Sequence, residues 1–267
     1  MIELEALAAI VARAGRALAA APRRQGLTLK ADGSPVTAAD LACERALALA
    51  LAEAWPALTI IAEESAPADG LIPAHDVAAL IDPLDGTKAF AEGRDDFCIC
   101  LAIIERGTPR LGVIGAPARG VVYAAAADQG LAWRSAVAED GSLTGERAPL
   151  VVRRCGDHPA GLVSDRHGDA DSEALLRRLG TRERIALSSA LKFAMIAEGK
   201  ADIYPRLAST MAWDTAAGQT LLSAAGGVTL DRGGAPLRYP AGSPLANPGF
   251  VAMGDPALAR AAFGEGR

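Results

Sequence analysis

The sequence predicts a mixed α/β protein in two parts, an α+β unit followed by an α/β unit. Three observations predict it. Between residues 96 and 135 the short apolar runs 97–104, 111–114, 121–125 and 131–133 are broken by Gly or Pro, the pattern of an antiparallel meander. Beyond residue 160, strand-like and helix-like segments alternate, as they do in layered α/β architectures. The chain has 267 residues, enough for one large domain or two small ones with a real core. The polar, Gly-containing stretch 138–149 is the candidate boundary, giving sub-domains 1–140 and 141–267.

In chain order, Ile2, Leu4, Leu7, Ile10, Val11 and Leu18 recur at helical spacing, so the first segment is an amphipathic helix that Pro22 ends. Residues 27–30 form a short strand and 32–35 a turn. Thr37-Ala38-Ala39-Asp40 opens a second helix running to about Trp55, in the manner of a capping box. Residues 58–61 form a strand, followed by Glu63-Glu64. The run 77–81 reads as a buried strand because it is short and β-branched, although periodicity alone leaves a helix open. Pro83 has no N–H for a sheet ladder, so the strand is expected to end there. Thr87 is the expected cap of a short helix near 89–92. The meander follows. The second half contains strands at 161–164, 184–187, 201–204, 228–230 and 250–253. Its helices span 171–179, begin near Ser188-Ser189, and run from about Asp214 to Ala225, where Gly226-Gly227 stops the last.

Composition narrows the function classes. Net charge is −5 with both signs scattered, and no basic block points to a nucleic-acid polymer. Four cysteines, Cys43, Cys98, Cys100 and Cys155, do not build a disulfide framework in a chain this long. Cys98 and Cys100 lie two apart in an apolar run and read as buried thiols facing one side of a strand, in preference to a metal or redox pair. The first segment carries Glu3, Glu5, Arg13 and Arg16, so it does not read as a signal peptide. No run is apolar enough to span a bilayer. The expected location is the cytoplasm, with peripheral membrane association left open. Oligomeric state is not fixed by the sequence, and a homodimer stays open.

The chemistry centres on Asp82-Pro83-Leu84-Asp85-Gly86-Thr87. Two oxygen-donor acids precede a glycine that lets the backbone approach a ligand, and free N–H groups at a helix start follow. That combination suits a hard cation bridging to a phosphate. The other reading is an Asp-rich turn with solvated acids. Glu63 follows a strand, Asp214 opens a helix, and Asp40 sits in a capping box. Each has an ordinary structural explanation when taken alone. Four carboxylates meeting without metal would repel and raise one another's pKa, whereas Mg²⁺ would favour the charged acids.

Taken together, Ala62-Glu63-Glu64-Ser65, Asp82-Pro83-Leu84-Asp85-Gly86-Thr87 and Trp213-Asp214-Thr215-Ala216-Ala217-Gly218 resemble the signatures of the inositol monophosphatase superfamily of metal-dependent, lithium-sensitive phosphatases. The resemblance runs across nearly the whole chain. Within the superfamily the chain is most similar to the 3'(2'),5'-bisphosphate nucleotidases of the CysQ type. Lys30-Ala31-Asp32-Gly33-Ser34-Pro35-Val36-Thr37-Ala38-Ala39-Asp40, Leu191-Lys192-Phe193, Tyr204-Pro205-Arg206 and Asn247-Pro248-Gly249-Phe250 carry that similarity.

The resemblance implies a layered α-β-α-β-α sandwich with its site between the sub-domains. It also implies a Mg²⁺-dependent phosphatase acting on the 3'-phosphate of adenosine 3',5'-bisphosphate and linked to sulfur metabolism. The alternative is an inositol-1-phosphate or other sugar-alcohol phosphatase. Glu63, Asp82, the Leu84 carbonyl, Asp85 and Asp214 are the implied ligands of two or three Mg²⁺. Thr87 and Asp40 are the implied catalytic pair. Glu63, Leu84, Asp85, Gly86, Thr87, Lys192, Arg206 and Asp214 are the implied substrate contacts. Lys192 stands where inositol monophosphatases typically have Asn and adds a cation suited to a second phosphate. Ser164, Arg166 and His167 are further candidates for nucleotide contact. Ala89 and Ala190 depart from the nucleotidase pattern, where Glu and Ser are usual. They bear on substrate preference rather than on the metal set.

Overall fold

In the computed structural model, residues 2–31, 33–165 and 168–264 are described. The chain begins with α1 (Leu4–Ala20), a hairpin of β1 (Thr28–Leu29) and β2 (Pro35–Val36), and α2 (Ala38–Ala54). Strands β3 (Thr59–Ala62) and β4 (Val77–Asp85) and the short helix α3 (Thr87–Ala91) come next. The meander follows: β5 (Cys98–Glu105), β6 (Thr108–Ala116), β7 (Val121–Ala126), β8 (Leu131–Val137) and β9 (Leu143–Pro149). The second half runs β10 (Ala160–Ser164), α4 (Ala170–Arg178), β11 (Glu183–Leu187), α5 (Leu191–Ala197), β12 (Ile203–Arg206), β13 (Thr210–Met211) and α6 (Ala212–Ala224). It closes with β14 (Val228–Asp231), β15 (Ala246–Asn247), β16 (Phe250–Met253) and α7 (Leu258–Phe263).

Strands β3 to β9 lie in sequence order in one seven-stranded sheet, with β3 parallel to β4 and every later neighbour antiparallel. The second sheet has the order β11-β10-β12-β16-β14. Side-chain alternation along β4 and β5 divides the first sheet's two faces between two cores. Ala79, Ile81, Ile99 and Leu101 pack with α1 and α2. Ala78, Leu80, Cys98 and Cys100 face the other way, toward Leu191, Phe193, Ala216 and Leu221 of α5 and α6. Those two helices also meet Tyr204 and Phe250 of the second sheet. Its far face, with Ile203, Val251 and Met253, packs on Leu175, Leu176 and Ala262 of α4 and α7. The layers therefore run α-β-α-β-α.

Helix α6 is buried on almost every side because it fills the middle layer. Small residues allow this. A Cβ on Gly218 would stand 2.3 Å from the Phe193 ring, and one on Gly112 of β6 would stand 2.7 Å from the Ala217 carbonyl oxygen. Gly218→Ala gains about 1 kcal/mol of helix propensity but costs about 3 kcal/mol of overpacking. The expected net is a loss of about 2 kcal/mol, read as a Tm lowered by roughly 4–8 °C in thermal denaturation.

Four local expectations are corrected. Strand β4 does not stop at Pro83 but continues to Asp85, because Pro83 falls within a bulge where no ladder N–H is needed. The cap of α3 is Gly86, at φ 96°, and Thr87 is the first helical residue, which frees its hydroxyl for other work. Asp214 is not the N-cap of α6. Met211 is, and Asp214 lies three residues further on, accepting the Met211 N–H at 3.1 Å. The polar stretch 138–149 contains β9, which pairs with β8 as the last strand of the first sheet. Its exposed, polar side chains hide the strand from a hydrophobicity reading.

Candidate active site

Glu63 lies just past β3, Asp82 and Asp85 at the end of β4, Thr87 at the start of α3, Lys192 on α5, Arg206 at the end of β12, and Asp214 in the first turn of α6. All seven line one cleft of about 480 Å³, together with Leu84 and Gly86. The bulge aims the two aspartates. In a regular strand, residues three apart point to opposite faces. Here Asp82 pairs with Cys100 and Asp85 with Cys98, so three steps along β4 match two along β5. The extra residue resets the alternation and turns both carboxylates to the α6 side.

Burial and mutual repulsion dominate the electrostatics. Burial raises Asp82 well above the usual carboxylate range, and the charges of Glu63, Asp85 and Asp214 add to it. Asp85 is pushed up to about 6 by burial and by Asp214, against the pull of Lys192, the Ala190 N–H and Arg206. Glu63 rises to about 7 through burial, with Lys30 working against it and Asp214 reinforcing it. Hard oxygen donors that destabilise one another when charged are the donor set Mg²⁺ takes. The residues present therefore fit a Mg²⁺ site.

Asp40 stands behind this cluster, 1% exposed. Its two oxygens have separate partners. Oδ2 accepts the Thr37 N–H at 2.8 Å and the Thr37 hydroxyl at 2.5 Å, which closes the capping box of α2. Oδ1 faces the Thr87 hydroxyl at 2.9 Å, and the Leu84 carbonyl oxygen lies 3.0 Å from the same hydroxyl. One hydroxyl proton can serve only one of these acceptors at a time. Burial raises the Asp40 pKa, opposed by the bonds from Thr37 and Thr87. The capping role and a role at the cleft thus coexist on one side chain.

Comparison with known proteins places this arrangement. Residues 3–262 match the Inositol monophosphatase family. The chain belongs to the inositol monophosphatase family. It is 38% identical to the 3'(2'),5'-bisphosphate nucleotidase CysQ of Escherichia coli K12 over 83% of this chain and 86% of the relative. It is 31% identical to the protein of the same name from Haemophilus influenzae, over 85% and 83%. The crystal structure of CysQ from Bacteroides thetaiotaomicron superposes with a TM-score of 0.76 at 30% identity, covering 93% of this chain and 96% of that one. Members of the inositol monophosphatase family are generally Mg²⁺-dependent.

Within this inositol monophosphatase fold the cations differ in how far they are committed. Lys192 is 2% exposed. Its ammonium donates to the carbonyls of Leu187 and Ser189 at 2.9 and 2.8 Å and lies 4.7 Å from the Tyr204 ring centroid. Two of its three protons hold a turn in which Ser189 adopts φ 61°, while the side chain still lines the cleft. At Arg206 the buried Nε has no hydrogen-bond partner, while the guanidinium bonds to Tyr204 and faces Asp214 and Asp85. Ala190 donates its backbone N–H to Asp85 Oδ2 at 2.5 Å, a bond that does not depend on its side chain. Ala89 is buried against the cleft. Ser164 lines the cleft, whereas Arg166 and His167 lie outside the described residues.

Sequence reading gave no role to two further cations. Lys30, on the hairpin, donates to Glu63 Oε1 at 2.7 Å and to Glu64 Oε1 at 2.8 Å, standing as a counter-ion to the cluster. The acidic pair Glu63-Glu64 was the only hint of it. Arg94 lines the cleft, ion-pairs with Asp165 and donates to the Ser188 hydroxyl at 2.8 Å, which joins the loop after α3 to the ends of β10 and β11. Nothing in its polar loop marks it in advance.

No helix among the described residues is long and apolar enough to cross a membrane.

Proposed function

We propose that this chain is a Mg²⁺-dependent phosphatase that converts adenosine 3',5'-bisphosphate and water to AMP and inorganic phosphate. The observation that carries the proposal is the set of mutually destabilised, cleft-lining carboxylates with a Thr87–Asp40 pair beside it. The names of the relatives supply the substrate class. Glu63, Asp82, the Leu84 carbonyl, Asp85 and Asp214 would hold two or three Mg²⁺. When bound, the ions lower the pKa of water and offset charge on the phosphate and the leaving oxygen.

The chain's own groups do the rest. The N–H groups of Gly86 and Thr87, free of helical partners, bind the phosphate being removed. The Thr87 hydroxyl orients the attacking water, takes its proton, and passes its own to Asp40 Oδ1. The water oxygen bonds to phosphorus as the P–O bond to the ribose breaks, and the ribose oxygen leaves as a hydroxyl by taking a proton from a second cleft water, whose hydroxide recovers the proton held by Asp40. Arg206 and Lys192 add positive charge near the substrate's phosphates. We further propose two sub-domains, one on each sheet, with the cleft between them. Because β9 belongs to the first sheet, the boundary then falls just after Pro149.

A second reading, an inositol-1-phosphate or related sugar-alcohol phosphatase, draws on one observation. None of the described residues lining this cleft is aromatic, so its walls offer a nucleobase no ring to stack on. Comparing kcat/KM for adenosine 3',5'-bisphosphate, 3'-AMP and inositol 1-phosphate with Mg²⁺ decides between them. The bisphosphate is expected to lead, and a lead for inositol 1-phosphate would reverse the assignment. Lys192→Ala is expected to lower kcat/KM for the bisphosphate by roughly tenfold more than for 3'-AMP. Equal losses would leave Lys192 with only the turn it holds.

A further inference from the structure

Two thiols lie beneath the floor of the cleft and have no part in the proposed reaction. Cys98 and Cys100 are free, 0% and 1% exposed, and face the same side of β5. Their Sγ atoms are 3.8 Å apart. The register sets Cys98 opposite Asp85, and its Sγ is 3.8 Å from Asp85 Oδ2. Among the described residues, one donor atom from each of Asp85, Cys98 and Cys100 lies within 4.8 Å of the other two.

These spacings have a chemical meaning. Tetrahedral zinc takes sulfur at about 2.3 Å and carboxylate oxygen at about 2.1 Å. Two sulfurs on such an ion stand about 3.8 Å apart, and a sulfur and an oxygen about 3.6 Å. The Cys98–Cys100 and Cys98–Asp85 distances fall within about 0.2 Å of those edges, and Cys100 and Asp85 close the triangle within 4.8 Å. Mg²⁺ takes oxygen donors and has no use for the sulfurs.

We propose that Asp85, Cys98 and Cys100 form a site for a thiophilic divalent cation such as Zn²⁺ or Cd²⁺, sharing Asp85 with the catalytic cluster. Asp85 lines the cleft and gives the ion its way in, and a cleft water completes four-coordination. Binding releases two thiol protons to solvent for each dication taken up. The group carries one negative charge before and after, so the buried pocket acquires no new net charge. The Ala190 N–H on Asp85 Oδ2 steadies the carboxylate. An ion held here draws Asp85 away from Mg²⁺ and inhibits turnover, a consequence that rests on the function proposed above, whereas the binding itself does not.

The test is titration of reduced, Mg²⁺-free full-length protein with Cd²⁺, following the ultraviolet thiolate-to-cadmium charge-transfer band. One equivalent is expected to saturate the band. Cys100→Ser and Cys98→Ser are each expected to weaken binding by at least roughly tenfold, with Cys155→Ser unchanged. A wild-type protein without the band, or a band lost only in Cys155→Ser, overturns the site. If a serine variant does not fold, anomalous scattering from a Cd²⁺-soaked wild-type crystal decides. A peak between the two sulfurs supports the site, and a peak elsewhere overturns it. In turnover assays Zn²⁺ is expected to inhibit the wild type, with relief in Cys100→Ser. A saturable band on a protein without phosphatase activity would uphold the cation site and reject the functional reading.

Discussion

Asp82→Asn is expected to abolish phosphatase turnover while raising the melting temperature of the metal-free protein. Asp82 is 2% exposed, and Glu63, Asp85 and Asp214 all act on it with the same sign. The amide keeps the one structural bond, because its oxygen still accepts the Leu84 N–H now 2.9 Å from Oδ1. It removes a charge that only a cation can make favourable. Relief of that repulsion raises the Tm of the metal-free protein by several degrees. Turnover falls by roughly 10³-fold or more, as when electrostatic stabilisation of a transition state is lost. The rise in Tm that Mg²⁺ gives the wild type shrinks in the variant, since the ion gains less from binding the folded state. A metal-free variant that melts lower than wild type would show that the acids do not repel as described.

The same repulsion sets a pH dependence. In the folded, metal-free protein Asp85 is held at about 6 and Glu63 at about 7, and Asp82 is raised as well. The unfolded values lie near 4, so the folded chain binds more protons than the unfolded chain between about pH 4 and 7. Stability without metal therefore falls as pH rises through that window. Saturating Mg²⁺ removes this slope, because it keeps the folded acids charged as the unfolded ones already are above about pH 5. Melting curves with chelator and with Mg²⁺ across this range check both the fall and its loss.

What was legible in the sequence was the identity of the groups, and what was not was their direction. Asp82-Pro83-Leu84-Asp85 marks itself by two acids near a strand end, yet its odd spacing would point them to opposite faces. Only the pairing with Cys98 and Cys100 shows the bulge that reunites them, and pairing register is a long-range property. Asp40 read as a capping residue, and it is one. Its second oxygen meets a hydroxyl 47 residues away, which no local pattern encodes. Lys192 was legible as a cation but not as a buried one, because its partners are backbone carbonyls that any residues could supply. Strand β9 escaped notice because at an exposed edge the period-2 signal of a half-buried strand fades.

Thr87→Ala is the sharpest test of how the proton moves. The hydroxyl lies between Asp40 Oδ1 and the Leu84 carbonyl, and the first helical position gives the side chain no capping duty. Its loss removes about one hydrogen bond, worth about 1 kcal/mol of stability, while Oδ2 of Asp40 keeps both bonds from Thr37. Turnover is expected to fall roughly 10²–10⁴-fold, the range lost with a positioned proton-transfer group. Thr87→Ser restores the hydroxyl and most of the rate. Asp40→Asn is expected to cost a similar factor and also to weaken the start of α2. If hydroxyl and carboxylate form one relay, the double variant is little slower than either single variant, because breaking either link already stops the transfer. Losses that multiply would mean the two groups act on separate steps. The Thr87–Asp40 bond would then be a structural contact between α3 and α2, and the attacking water would need another acceptor.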